Sequence, residues 1–326
     1  MINKDNYGYI PDDNFGYIPD EFVPEDIAEF DALTDKYDPT GQPAIVSWDS
    51  FEPYVQSQAA KMDSIRAAGW IVLWWVIARF CRIPIWESNQ GRLGSCAGWS
   101  AANGYMITVI YQMMLGAFRF VSINPLAMWV KTKNWSMSGG QTMSKVMIGG
   151  NQFGNYPVSS VGDYSTRLTA ELKNKIESEA TIAEKHQFGA CRLSGKGKDL
   201  AAQIVLCLRV GLVVCIGNSV RVSGSFIDEN DMRVAILGGT WGHATLFDGY
   251  QVVDGTVYLH WTNSHGDRYR GQDRFGTPES GCWMTIGILE RFCSGRYTDA
   301  FCIYRAEAPA DETRKSMTLA TFNQRS

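Results

Sequence analysis

Features that define several protein classes are missing from this sequence. The N-terminus is polar and acidic and shows no secretory signal, which favours a cytoplasmic or virion-associated protein over a secreted one. An apolar run at residues 67–78 has twelve residues, too few to span a bilayer. We therefore expect no membrane span and interpret the run as a buried element.

Metal-binding patterns are also missing. The eight cysteines form no CxxC pair and no zinc-ligand spacing, and the 326 residues include only four histidines. We expect no metal and no cofactor. Cys207 and Cys215 lie in apolar stretches that predict small buried thiols. Reduced thiols are the simpler expectation, although an even number of cysteines leaves disulfides open.

A strong basic charge is absent as well. The net charge of −4 gives no field that would attract nucleic acid, so we expect no nucleic-acid partner. The charge is uneven, because residues 1–38 contain eleven acidic and two basic residues. Within this segment Asn-Tyr-Gly-Tyr-Ile-Pro-Asp-Asp at 6–13 is followed by Asn-Phe-Gly-Tyr-Ile-Pro-Asp-Glu at 14–21. We expect an acidic arm that binds its own groove or another subunit, or else a mobile tail.

The rest of the chain has the composition of an ordinary globular protein, with 45% hydrophobic residues. Helical spacing of apolar residues over 97–115 places Cys96 at a helix N-terminus. From residue 212 onward, strand-like segments alternate with glycine-rich turns. Helices followed by strands predict an α+β fold with two lobes and a cleft between them.

Three short segments carry the chemistry. Residues 89–96 read Asn-Gln-Gly-Arg-Leu-Gly-Ser-Cys, residues 242–243 read Gly-His, and Asn263 follows in Thr-Asn-Ser-His-Gly. A cysteine, a histidine and an asparagine can act as nucleophile, base and orienting group. Gln90 supplies an amide that could bind a developing oxyanion. The helix N-terminus and an imidazolium would lower the pKa of the Cys96 thiol.

These segments resemble the papain-like cysteine peptidases, and the resemblance covers residues 84–304. Ser-Gly-Gly at 138–140 and Asn-Tyr-Pro at 155–157 fit it too, as does His-Ala followed by Gly-Tyr at 243–250. It implies a helical lobe over about 84–190, an antiparallel β-barrel-like lobe over about 191–305 and an active-site cleft between them. Residues 1–43 would be the acidic arm, 44–83 an N-terminal extension packed on the core, and 306–326 a polar tail.

The resemblance also implies roles for single residues. Cys96 would be the nucleophile, His243 the base, Asn263 its orienting partner and Gln90 the oxyanion donor. The backbone of Gly139, Gly140 and Gly242 would bind an extended peptide substrate.

The sequence departs from the family pattern around the nucleophile. Ala97 replaces a common tryptophan, Leu93 replaces a second cysteine, and its usual disulfide partner falls near Met137. An apolar contact between Leu93 and Met137 would suit a reducing compartment. His265 replaces the tryptophan of Asn-Ser-Trp-Gly and is a second base, a pH-sensitive lid or a polar loop residue.

Three functions remain open at this point. The first is a peptidase that acts through an acyl-thioester intermediate. The second is a protein of the same fold with a structural or assembly role, for example in a phage particle, and with reduced or no activity. The third is a hydrolase of bacterial cell-wall peptides, which Asn263 disfavours.

We expect His260 to be structural, and His186 has no partner motif.

Overall fold

The computed structural model describes residues 17–66, 89–115, 120–266 and 269–308, and these form helices and one eight-stranded sheet. Helices occupy much of the first part of the chain and strands the second. The predicted α+β class is therefore confirmed. The apolar run at 67–78 and the first copy of the repeat lie outside the described residues, as does most of the polar tail.

Several helices begin at a side chain that caps them. The Asn124 side chain accepts a hydrogen bond from the Leu126 amide, and Thr142 and Thr169 cap two further helices in the same way. The helices are α1 (Pro24–Ala32), α2 (Trp48–Arg66), α3 (Cys96–Leu115), α4 (Pro125–Thr132), α5 (Met143–Gln152), α6 (Val158–Val161), α7 (Ala170–Ser178), α8 (Ala180–Ala183), α9 (Lys198–Arg209) and α10 (Ile286–Cys293). None of these described helices is long and apolar enough to cross a membrane.

The sheet combines antiparallel and parallel pairs. Its strands are β1 (Thr34–Asp35), β2 (Ile45–Val46), β3 (Phe188–Leu193), β4 (Val213–Ile227), β5 (Arg233–Val253), β6 (Thr256–Thr262), β7 (Gly281–Thr285) and β8 (Thr298–Ala306), in the order β1-β2-β3-β8-β4-β5-β6-β7. In the predicted β lobe, each pair of neighbours in the sheet order from β3 to β7 is antiparallel, and β7 makes an additional parallel pair with β5. The edge differs from the prediction, because β1 and β2 from the N-terminal part add parallel pairs.

Helix α3 packs closely on its neighbours. A Cβ on Gly98 would lie 2.7 Å from both the Pro125 carbonyl oxygen and the Trp129 Cβ, and one on Gly104 would lie 2.8 Å from Ile303. The two glycines thus cost helix propensity but allow close contact with α4 and the sheet. This packing fixes the N-terminus of α3, where Cys96 lies, relative to strand β5.

The second half of the arm packs on the body of the protein. Phe30 of α1 packs edge-on against Phe301 of β8, with ring centroids 5.2 Å apart. The Thr142 hydroxyl donates to the Asp26 carboxylate, and Lys145 pairs with Glu29 at 2.6 Å. Residues 17–32 are therefore a docked segment of the fold, while the domain boundaries given above stay predictions.

Candidate active site

Cys96 is the first residue of α3 and is completely buried. The backbone amide of Ala244 donates a hydrogen bond to its Sγ over 3.4 Å. Because Ala244 directly follows His243 in β5, this contact joins the predicted nucleophile to the strand that carries the predicted base. The structure thus brings together two segments that are 147 residues apart in sequence.

The His243 ring is held from several sides. Its Nε2 lies 2.7 Å from Oδ1 of Asn263, and the same oxygen accepts a hydrogen bond from the Ser264 amide at 2.7 Å. The rings of Trp241 and His265 flank it, each with its centroid 4.6 Å from that of His243. Because Nε2 is bound to Asn263, proton exchange with a thiol would take place at Nδ1.

The Gln90 side chain is anchored at both ends of its amide. Its Oε1 accepts a hydrogen bond from the Ser264 hydroxyl at 2.5 Å, and its Nε2 donates to the Leu93 carbonyl at 2.8 Å. The Gln90 backbone amide donates to the Ser264 carbonyl at 2.8 Å, and the Tyr164 hydroxyl donates to the Gln90 carbonyl at 2.9 Å. These contacts join the loop before Cys96 to the loop after Asn263.

Two of these supporting residues were missed in the sequence. Ser264 lies inside the Asn-Ser-His-Gly segment, so its position beside Asn263 was a usable signal. Tyr164 lies in no motif, yet its hydroxyl contacts both Gln90 and the Ser95 hydroxyl. Only the folded chain shows that contact.

The Cys96 thiol differs from the sequence expectation of a depressed pKa. Burial raises the pKa of Cys96 to about 12, although nearby backbone N–H groups, including that of Ala244, act in the opposite direction. A thiol with such a pKa is protonated at neutral pH. The described conformation therefore holds Cys96 as a thiol.

Two of the predicted substrate-binding glycines, Gly139 and Gly140, bond a lysine side chain. Lys133 donates hydrogen bonds to the carbonyls of Gly139 and Gly140, at 3.1 and 2.8 Å. Gly139 has a φ of +68°, a backbone conformation that favours glycine. A Cβ at this position would meet no atom within 4 Å, so the backbone conformation and not a lack of space accounts for the glycine. Burial lowers the pKa of Lys133 to about 8.

The arm lies between these glycines and His243. The Ile18 amide donates to the Gln141 carbonyl at 3.0 Å, one residue after Gly140. The Tyr17 amide donates to the Gly242 carbonyl at 3.4 Å, one residue before His243. Backbone groups predicted to bind a peptide substrate are thus near, or bonded to, a segment of the same chain.

Other residues named in the sequence analysis are buried or pack against the core. His260 lies in β6, is buried and bonds the Asp248 carboxylate at 2.6 Å. His186 is buried, its ring lies 2.8 Å from the Tyr105 hydroxyl, and burial lowers its pKa to about 4. Leu93 and Met137 both pack against the same core cluster, and their direct contact stays a prediction. Within the described ranges no group of His, Cys, Asp and Glu could hold a metal ion.

Comparisons with known proteins give similarity in structure only. No family profile and no curated sequence matches the chain. Among solved structures it is similar to xylellain, a cysteine protease from Xylella fastidiosa, at 18% identity over 69% of this chain and 84% of that one, with a TM-score of 0.49. It is also similar to procathepsin L 3 of the Tenebrio molitor larval midgut, at 17% identity over 68% and 67%, with a TM-score of 0.43.

A third similar structure is the proform of the ragweed pollen allergen Amb a 11, a cysteine protease. The identity is 16% over 70% of this chain and 64% of that one, and the TM-score is 0.46. Xylellain and Amb a 11 are cysteine proteases. At these identities and TM-scores we base the functional proposal on the side-chain geometry.

Proposed function

We propose that this protein is a cysteine peptidase that hydrolyses peptide bonds through an acyl-thioester intermediate. One observation carries the proposal. The Asn263 side chain orients the imidazole of His243 at 2.7 Å, and the next residue of the same strand bonds a cysteine at a helix N-terminus. The Ala244 amide bonded to Cys96 Sγ supports this placement. An oriented imidazole next to a thiol is the arrangement that nucleophilic catalysis needs.

The first half of the reaction forms the thioester. The Cys96 thiol transfers its proton to Nδ1 of His243, and the thiolate attacks the carbonyl carbon of the peptide bond. The backbone N–H of Cys96 and the Gln90 amide bind the oxyanion of the tetrahedral intermediate. The C–N bond then breaks, and the His243 imidazolium gives its proton to the leaving amine.

The second half releases the acid. A water molecule gives a proton to His243 and attacks the thioester carbonyl. When the C–S bond breaks, the proton returns to the Cys96 sulfur and the carboxylic acid leaves. Asn263 keeps the same ring nitrogen occupied throughout, so His243 does not need to rotate between the two halves.

The docked arm indicates a resting state. Tyr17 and Ile18 bond the backbone at Gly242 and Gln141, where an extended substrate would have to pass. Cys96 is buried in this conformation, and the burial raises its pKa. We infer that the arm must leave this position before a peptide can reach the thiol.

A second function has one observation in its favour. The complete burial of Cys96, with a pKa of about 12, is what an inactive protein of this fold would also show. Such a protein would serve in structure or assembly, for example in a phage particle. The two functions differ in whether Cys96 becomes selectively reactive when the arm is displaced.

A labelling experiment separates them. Gly217→Val would displace the arm, because a Cβ at Gly217 would lie 2.2 Å from the Tyr17 ring. The full chain with this substitution is treated with a thiol-directed epoxide, and adducts are located by mass spectrometry. We expect Cys96 to react at least about tenfold faster than the other cysteines, and His243→Gln to remove that preference. Uniform labelling, together with no cleavage of unfolded protein substrates, would favour the structural role.

A further inference from the structure

Residues 17–20, from the second copy of the repeat, occupy a defined pocket. The Tyr17 side chain is completely buried, and its ring covers Gly217 of β4. Its hydroxyl donates to the Asp299 carboxylate, and the Asp20 backbone amide donates to the same oxygen at 3.0 Å. We name this pocket the motif receptor and define it by Gln141, Ser144, Gly217, Gly242 and Asp299.

The receptor contacts or buries four consecutive residues. Beside the Tyr17 contacts, the Ile18 amide donates to Gln141, and Pro19 is buried. The Asp20 carboxylate is buried and accepts hydrogen bonds from the backbone amide and the hydroxyl of Ser144. Glu21 is exposed. The bound sequence is therefore Tyr-Ile-Pro-Asp, and the exposed side chain at the next position is not part of it.

The chain contains this sequence twice. Residues 9–12 are Tyr-Ile-Pro-Asp, identical to residues 17–20 and preceded by the same glycine. Asp13 differs from Glu21, but that position of the second copy points to solvent. Every side chain that the receptor buries in the second copy has an identical counterpart eight residues earlier.

We propose that the motif receptor binds either copy of the repeat, and that residues 9–12 of the same chain replace residues 17–20 when the second copy leaves. The exchange lengthens the connection to α1 by eight residues. Such a surface loop is tolerated, because each doubling of loop length lowers a closure equilibrium constant only about threefold. One receptor with two tethered ligands stays occupied more of the time than a receptor with one. This inference concerns docking and does not depend on the proposed peptidase activity.

Hydrogen exchange of the full-length protein tests the exchange of copies. In Tyr17→Ala we expect the amides of Tyr9, Ile10 and Asp12 to gain protection, since the Ile10 amide takes the place of Ile18 at Gln141. Tyr9→Ala/Tyr17→Ala should lose that gain, with exchange in 9–12 at least about tenfold faster. Tyr7→Ala/Tyr17→Ala is the matched control and should behave as Tyr17→Ala. Equal exchange of residues 9–12 in Tyr17→Ala and in the double variant would overturn the proposal.

Peptide binding gives an independent readout. A labelled peptide with the sequence of residues 6–13 should bind Tyr9→Ala/Tyr17→Ala, as measured by fluorescence anisotropy. A peptide with alanine at the position of Tyr9 should bind at least about tenfold more weakly, because it loses a buried ring and a hydrogen bond to Asp299. Equal binding of the two peptides would contradict a receptor for this motif. Protection of residues 9–12 that rises with protein concentration would instead place the first copy on a second molecule and overturn the same-chain exchange.

Discussion

Two histidines on neighbouring strands have similar immediate contacts. His243 of β5 and His260 of β6 are both buried. Each bonds a side-chain oxygen, at 2.7 Å for Asn263 and 2.6 Å for Asp248. An indole packs against each ring, with centroids 4.6 Å apart for Trp241 and 5.0 Å for Trp283. Burial and an oriented ring are thus common to both sites.

The differences between the two sites lie one contact further out. Asp248 also accepts a hydrogen bond from the Thr262 hydroxyl, and a Cβ on Gly281 would lie 2.8 Å from the His260 ring. There is no room at that point for another molecule. At the other site Ala244, the residue after His243, bonds the Cys96 thiol, and the arm bonds Gly242, the residue before His243. Burial alone therefore does not make a histidine a candidate base. A nucleophile close to the ring and a route for the substrate are also needed.

The largest expected effect on activity distinguishes the replacement of His243 by glutamine from the same replacement at His260. His243→Gln should lower kcat/KM for peptide cleavage about 10²–10⁴-fold, because it removes the general base and acid. His260→Gln should leave kcat/KM within a few-fold and lower the free energy of unfolding by about 1–3 kcal/mol. Peptide-cleavage kinetics and urea unfolding of both variants check this pair. Similar losses of activity in two fully folded variants would break the distinction.

The next effect concerns Gln90, the proposed oxyanion donor. Gln90→Ala should lower kcat about 10²–10³-fold with a smaller change in KM. Ser264→Ala, which removes the hydroxyl bonded to Gln90 Oε1, should have a weaker effect in the same direction. Gln251→Ala, on the same strand as His243, is the control. An unchanged kcat in Gln90→Ala would remove this residue from the proposed mechanism.

The sequence predicted more about the candidate site than about the residues that surround it. The order Gln90, Cys96, His243 and Asn263, together with the strand and helix periodicity, predicted the α+β class and a helix that begins at Cys96. The roles of these residues stay predictions. Periodicity does not encode contacts between distant segments, so Tyr164 beside Gln90 and Tyr17 on Gly217 could not be predicted. The depressed pKa of Cys96 was expected from local charges, and the burial that raises it depends on the complete fold.

A smaller effect should appear in stability at the His260 site. Asp248→Asn keeps the shape of the side chain but replaces a carboxylate that two buried donors share, those of His260 and Thr262. We expect the free energy of unfolding to fall by about 1–3 kcal/mol, because hydrogen bonds to a charged acceptor are the stronger ones. Urea unfolding measures the loss, and Cys96 labelling in the folded state should not change. A change in Cys96 labelling would show that the two histidine sites are coupled.

The smallest effect is a pH dependence confined to the His243 side. Burial, and then the charge of Asp299, raise the pKa of Asp20 to about 7 from its usual 3.8, while Ser144 and Arg192 act against this. Burial also raises the pKa of Asp26. A carboxyl whose pKa is raised by docking favours the docked arm when it is protonated. Docking is therefore strongest below about pH 4, weakens as the pH rises to 7, and changes no further above it.

Hydrogen exchange of residues 17–23, corrected for intrinsic rates, measures this dependence. We expect protection of this segment to fall about tenfold or more between pH 5 and pH 8, since one unit of pKa shift corresponds to a factor of ten. The amides of β6 around His260 serve as the internal reference and should stay constant. Asp20→Asn keeps an acceptor for Ser144 without a titrating charge, so its arm protection should be independent of pH. A pH dependence that persists in Asp20→Asn would assign the titration to another group, with Asp26 the next to test through Asp26→Asn.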